Sequence, residues 1–386
     1  MRDSIELLRR AGHSIFLLGT TRQGNLPDVD GVSLVPEIAG LTIHHSPFTV
    51  HQARKALLKE LDRLRPDLVH LIDQFEYRIM RSVSQAFPTV LTAHTFAPSC
   101  PASHRNVPGA AICPQKSGWG CLRHHHEYGC LAHFKNDFRR ALAIEEYRRK
   151  RAVIGTLPGI AAISRVVEQT LLEDGFRREQ VHLVYNPVNV PAVAAPLSEA
   201  PRTLLLCAAR LVPLKGIDHL LRAASRVRTR EWALWIAGDG EQRSEYEALA
   251  RELDVESRVR FLGRVDYPYL QRLYASARAV AQTNLGPETF GLTVAEASAH
   301  ALPVVGYDVP AINEIVESGK TGILVPPGDI ESLTSAIEEL LGNEQLAKNM
   351  GAAGRSRMLA RFSPALHLEQ TLALYQHSLS ATRRAA

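Results

Sequence analysis

The chain has 386 residues, 45% hydrophobic and 22% charged, enough for two domains that each bury a core, in a balance that excludes a disordered or low-complexity protein. Its formal net charge of +5 and pI of about 9.0 suit anionic small molecules or an anionic membrane surface as readily as nucleic acid. No apolar run reaches bilayer-spanning length, and Asp3 and Glu6 stand where a secretory signal would be apolar. The expected location is therefore cytoplasmic, with the inner face of the membrane as the alternative setting.

In chain order, the first predicted element is a helix, SIELLRRAGH, where a doubly wound domain usually opens with a strand and a glycine turn. The opening strand is expected to be missing, or the start of the chain to be misplaced. HSIFLLGT, DLVHLID, TVLTAH, GIAAIS and VHLVYN follow as predicted strands. After TVLTAH comes a loop-like insertion, 99–130, holding Cys100, Cys113, Cys121, Cys130 and the triple His124, His125 and His126. Twelve, seven and eight residues separate those cysteines, with no C-x-x-C pair. Three states fit that spacing: a structural zinc or iron held by the thiolates, alone or with one of the three histidines; two disulfides, which a reducing compartment disfavours; or free thiols. The next predicted helix, 138–153, carries Arg139, Arg140, Arg148, Arg149, Lys150 and Arg151. Such a helix either rests on anionic lipid or is a solvated face whose charge Glu145 and Glu146 partly offset.

NPVNVPAVAAPLSEAP, with four prolines, reads as a linker. Beyond it, LLLCAAR, WALWIAGDG, VRFLGRV, RAVAQTNL, PVVGYD and GILVPPGD are short apolar runs alternating with amphipathic helices, the pattern of a parallel sheet covered on both faces. The expected domains are 1–186 with its insertion 99–130, a linker at 187–202, a second domain at 203–361, and a C-terminal helix at 362–386 that returns towards the first domain.

Several familiar motifs fail. VESGKTG lacks the earlier glycine of a phosphate-binding P-loop, Glu314 standing in its place; no G-x-G-x-x-G follows a strand, and no D-x-D or H-E-x-x-H provides an obvious catalytic metal site. No basic patch with interleaved aromatics suggests nucleic acid. Three other stretches fall at predicted strand ends, where open α/β sheets bind ligands. AARLVPLKGID sets Arg210 and Lys215 beside Gly216 at a helix start, a suitable cradle for a diphosphate. WIAGDGEQR offers Gly238 and Gly240 for close backbone approach. GPETFGLTVAEASA places Glu288 before a helix start at Phe290, Gly291 and Leu292, and Glu296 within that helix. Free amides and two carboxylates there suit sugar hydroxyls and phosphate. Each stretch alone is an ordinary loop or helix end; together they describe a nucleotide-sugar pocket.

At these residues the sequence resembles the retaining family-4 glycosyltransferases of the GT-B fold, the glycosyl transferases group 1. RLVPLKG is similar to that family's basic diphosphate motif, and GPETFGLTVAEASA to its E-x7-E signature. RPDLVHLID, TVLTAHTF and AISRVVEQTLLEDGF resemble its first-domain segments. The resemblance implies two Rossmann-like doubly wound domains facing a central cleft. It implies that Arg210 and Lys215 hold the donor's phosphates, that Glu296 holds the ribose, and that Glu288 faces the transferred sugar with the amides of Phe290, Gly291 and Leu292. It further implies that His94 reaches the donor sugar and that Gly263 and Arg264 lie at the base. Alternatives such as His70, His44 and His45 are less well placed than His94.

The family's most frequent donor is a UDP-sugar, its acceptors include lipid-linked ones in polysaccharide, glycolipid or secondary-metabolite synthesis, and no metal or cofactor is required for its transfer. A glycosidase also uses paired carboxylates but has no need of the Arg210 and Lys215 pair. A non-catalytic nucleotide-sugar-binding homologue is the second alternative. It is motivated by departures from the family pattern: Thr95 after the histidine, His300 and Ala301 where a small residue and glycine are usual, and Pro310 and Ala311 in place of Gly-Gly.

Overall fold

Strands in this chain form where Val, Ile, Leu and Ala run together without a polar face, because both faces of a parallel sheet are covered. The computed structural model describes residues 2–18, 33–34, 47–72, 76–107, 112–132, 134–191 and 195–385. The chain divides into two units, one of Met1–Pro187 with Pro364–Ala386 and the other of Val188–Ser363. His44 and His45 lie outside the described residues.

In the first unit the helix Arg2–Arg10 precedes β1 (Phe16–Leu17), which pairs in parallel with β2 (Ser33–Leu34). A separate parallel sheet follows in sequence order: β3 (Val69–Ile72), β4 (Thr89–Ala93), β5 (Gly159–Ala162) and β6 (Val181–Leu183). The C-terminal helix Pro364–Ala385 lies on this sheet, with Leu374 packed among Val90, Ala161 and Val184. Gly159 leaves room for it, since a Cβ there would stand 2.5 Å from Leu374 Cδ1. His70 ties the same helix to the sheet, meeting Tyr375 Oη at 2.7 Å and Thr92 Oγ1 at 2.6 Å.

The cysteine-rich insertion is not loop throughout. Gly120–Tyr128 is a helix that carries Cys121 and the triple histidine and stops at Gly129, whose φ of 68° suits the left-handed helix stop. His125 is buried within it, its Nδ1 accepting from Leu131 N at 3.0 Å.

In the second unit six parallel strands take the order β12-β11-β10-β7-β8-β9. They are β7 (Leu204–Ala208), β8 (Ala233–Ala237), β9 (Val259–Gly263), β10 (Ala279–Gln282), β11 (Val304–Tyr307) and β12 (Gly322–Val325). Leu204, Leu205 and Leu206 of β7 and Ala279, Val280 and Ala281 of β10 are wholly buried, as the two central strands require. The proline-rich stretch before β7 is fastened to this unit: Val188 N donates to Phe362 O at 2.8 Å, and Leu197 N to Ser276 Oγ at 2.8 Å.

Candidate functional site

The strand order of the second unit reverses between β7 and β10: the chain runs outward from β7 through β8 and β9 on one side, and through β10, β11 and β12 on the other. Such a switch point opens a crevice at the carboxyl ends of the strands. The loop after β7 carries Arg210 and Lys215, and the loop after β10 carries Glu288 and leads into the helix Leu292–Ala299. One backbone and one side-chain bond sew the two loops together, Leu285 N donating to Leu214 O at 2.9 Å and Thr283 Oγ1 to Lys215 O at 3.0 Å. Gly216 permits this approach: its φ is 58°, and a Cβ would meet Thr283 O at 2.2 Å. Lys215 and Glu288 are thereby brought into an ion pair, each side chain about one-fifth exposed at 18% and 22%. Arg210 is exposed on the same loop, and among the described residues no carboxylate pairs with it.

The helix that begins at Leu292 has Gly291 at φ 93° as its N-cap and no side-chain cap, so its first amides point out of the helix without an intrahelical acceptor. Phe290 is buried edge-on against Phe362, with centroids 5.9 Å apart, and Leu292 is exposed. One turn on, Glu296 Oε2 accepts from Tyr274 Oη at 3.1 Å. Burial pushes the Glu296 carboxyl above its ordinary range, and the tyrosine bond only partly opposes this. His300 steadies the tyrosine: its ring lies 4.8 Å from that of Tyr274, while its nitrogens meet Glu296 O at 2.8 Å and Gln271 Oε1 at 2.7 Å. Gly238 and Gly263 close the far side of the crevice, Gly238 N donating to Gly263 O at 2.8 Å, with Arg264 exposed beside them.

Sequence reasoning missed Tyr274, Gln282 and Asn284. Gln282 and Asn284 are buried and linked, Gln282 Nε2 donating to Asn284 Oδ1 at 2.6 Å and Asn284 Nδ2 to Glu288 Oε1. Two of the departures from the family pattern prove conformational. Ala301 ends the Leu292–Ala299 region at φ 58°, and Ala311 sits at φ 72°, so alanine occupies backbone that glycine favours.

His94 belongs to the first unit, half-buried immediately after β4. Its positive form would oppose protonation of His70 and His367, whose pKa values lie below the ordinary histidine value chiefly through burial; that of His70 is held at about 4. The four clustered cysteines border one cavity of about 20 Å³ with His104 and His124, roughly one water in size. All are free thiols, and among the described residues no three His, Cys, Asp or Glu side chains are arranged to hold a metal ion. Burial, then mutual repulsion, pushes the Cys130 thiol up to about 11, and Cys113 and Cys121 are raised as well.

The wall of this cavity is held by Arg105, whose guanidinium donates to Ser99 O at 2.7 Å and Cys113 O at 3.1 Å and lies 3.6 Å from Asp174. Asp174 accepts in turn from Tyr147 Oη at 2.9 Å, Ser117 N at 3.0 Å and Arg151 Nε at 2.6 Å. Four cations of the basic helix, Asp137–Ile154, are ion-paired: Arg140 with Asp137, Arg148 and Arg149 with Glu145, and Arg151 with Asp174 outside the helix, while Lys150 is buried. Among the described residues, no helix is long and apolar enough to cross a membrane.

Comparison with known proteins accounts for both units. Residues 1–191 match the family model of glycosyltransferase family 4, and residues 194–357 that of the glycosyl transferases group 1. The chain is similar to a GDP-mannose-dependent alpha-(1-6)-phosphatidylinositol monomannoside mannosyltransferase of Mycolicibacterium smegmatis. The two are 35% identical over 162 residues, which are 40% of this chain and 42% of the relative. Matches to the first curated relatives span only 21% to 57% of their lengths.

Among solved structures, sucrose-phosphate synthase of Thermosynechococcus elongatus superposes with a TM-score of 0.72 at 20% identity, over 98% of this chain and 92% of that one. HepE of Anabaena in complex with UDP-glucose gives a TM-score of 0.63 at 17% identity, over 97% of this chain and 100% of that one. These likenesses establish the GT-B fold.

Proposed function

Because the chain belongs to the family-4 glycosyltransferases of the GT-B fold, we propose that it moves a sugar with retained anomeric configuration from a nucleotide-diphosphate sugar to an acceptor. The observation that carries this reading is the Lys215–Glu288 ion pair at the sheet's switch point, next to an uncapped helix start and eight residues before Glu296. Departure of a diphosphate builds negative charge on phosphate and positive charge on the anomeric carbon, and fixed groups aimed at those charges lower the barrier.

Lys215 and Arg210 stabilise the leaving diphosphate, assisted by the amides of Phe290, Gly291 and Leu292. Glu288 accepts from hydroxyls of the transferred sugar and Glu296 from the ribose, while Gly238, Gly263 and Arg264 line the base side. The anomeric C–O bond to phosphate breaks as a bond to the acceptor oxygen forms on the same face, and a phosphate oxygen of the leaving group takes the acceptor's proton. Donor phosphate has to draw Lys215 from Glu288, which frees that carboxylate for the sugar.

A UDP- or GDP-sugar donor is supported by the HepE complex with UDP-glucose and by the GDP-mannose-dependent relative. A lipid-linked acceptor is supported by the phosphatidylinositol monomannoside named for that relative and by exposed Phe138 and Leu142 beside Arg139. With most of the helix's cations paired, any lipid contact through 138–153 rests more on these apolar side chains than on charge. Cosedimentation with anionic liposomes tests it, and absence of binding at both low and moderate salt contradicts it.

The main reading is tested by nucleotide release from a panel of UDP-, GDP-, ADP- and dTDP-sugars, followed by the anomeric configuration of the product. Release with retention is expected. Binding without release or transfer would instead support a non-catalytic homologue.

A further inference from the structure

Gln282, Thr283 and Asn284 form a polar run at the carboxyl end of a central strand, each no more than 4% exposed. Buried polar groups at such a place weaken a core unless they hold something in position. The geometry shows what is held. Gln282 is fixed opposite Gly306 in the β10–β11 register, where a Cβ on Gly306 would strike Gln282 O at 1.9 Å. Its Nε2 donates to Asn284 Oδ1 at 2.6 Å, which turns the Asn284 Nδ2 towards Glu288 Oε1. The same Oε1 takes the Lys215 ammonium, and among the described residues Oε2 has no protein partner. Gln282 Oε1 is itself buried without a partner, so the run is kept at a cost to the fold.

We propose that Asn284, oriented by Gln282, is a positioning residue: its amide clamps one oxygen of Glu288 and presents the other to a donor-sugar hydroxyl. The inference rests on the pocket being a nucleotide-sugar site. The clamp acts through a donated N–H, so the isosteric Asn284→Asp keeps the shape and reverses the electrostatics. Two carboxylates then face each other at hydrogen-bond distance, and only a proton shared between them restores the contact.

The test is nucleotide release across pH 5–9 from the same panel of nucleotide sugars. For Asn284→Ala, kcat is expected to fall roughly ten- to a hundredfold while KM changes much less. For Asn284→Asp, turnover is expected to be low at neutral pH and to climb as pH falls, a trend absent in the wild type. Wild-type kcat in Asn284→Ala, or an Asn284→Asp profile parallel to the wild type's, overturns the inference and leaves the pocket's assignment standing. A wild-type chain that releases no nucleotide from any sugar of the panel overturns both.

Discussion

The cysteine-lined cavity of the first unit gathers the most reactive side chains in the sequence and holds them in their least reactive state, whereas the crevice of the second unit is built from ordinary charged residues held in reach of one another. In the cavity, burial and mutual repulsion keep thiols protonated, and a thiol rather than a thiolate is a poor nucleophile and a poor metal ligand. In the crevice, Lys215 and Glu288 form a partly exposed ion pair, with Asn284 at their side. Chemistry follows from environment more than from residue type, a contrast that substitutions and thiol labelling sharpen.

The largest effect is expected in the cavity wall. Asp174→Asn leaves the buried guanidinium of Arg105 without its charge partner and should cost about 3–5 kcal/mol in urea denaturation. A loss below about 1 kcal/mol would show that the backbone carbonyls around Arg105 suffice. In the crevice, Lys215→Ala should lower nucleotide release by roughly 10²–10³-fold, the size of one lost transition-state partner, with thermal stability little changed. A change under threefold would remove Lys215 from the reaction.

Next comes thiol reactivity. With Cys130 raised from 9.0 to about 11, iodoacetamide at pH 8 should label it about a hundredfold more slowly than the unfolded chain, and each further pH unit should speed labelling about tenfold until pH passes 11. Fast labelling at pH 7 would mean that a cation or an opened cavity lowers the thiol pKa. The smallest effect belongs to the backbone. Ala301→Gly relieves a left-handed alanine and should stabilise the second unit by about 1 kcal/mol, or roughly 2–4 °C in Tm. Ala311→Gly should gain less, because its methyl group is buried.

The second unit was legible in the sequence because most of its strands are apolar runs and its candidate charged residues sit beyond their ends. Arg210, Lys215, Glu288 and Glu296 therefore announce themselves. Their partners do not: Asn284 and Gln282 read as the frayed end of a strand, and only the register against Gly306 and the seam to Leu214 show that they are buried and linked. Tyr274 lies in the helix Tyr267–Ser276 and His300 just past the end of the helix Leu292–Ala299, and the two meet only through packing.

Positive φ at Ala301 and Ala311 leaves no mark in the sequence, since alanine ordinarily signals helix. In the first unit the triple histidine and flanking glycines disguise a helix, and Asp174 gives no hint that it faces Arg105, which lies 69 residues earlier. The charge run at 138–153 is a helix, but four of its cations are paired with acids three or four residues away or across the unit, which composition alone does not reveal.

The most direct test compares nucleotide release by Lys215→Ala with release by single Cys→Ser variants at Cys100, Cys113, Cys121 and Cys130, each first shown to be folded by its thermal transition. If the crevice of the second unit performs the chemistry, the lysine variant loses release by two to three orders of magnitude while each folded cysteine variant stays within about threefold of the wild type. Release that survives in Lys215→Ala and collapses in a folded cysteine variant would place the chemistry in the cavity and contradict the account.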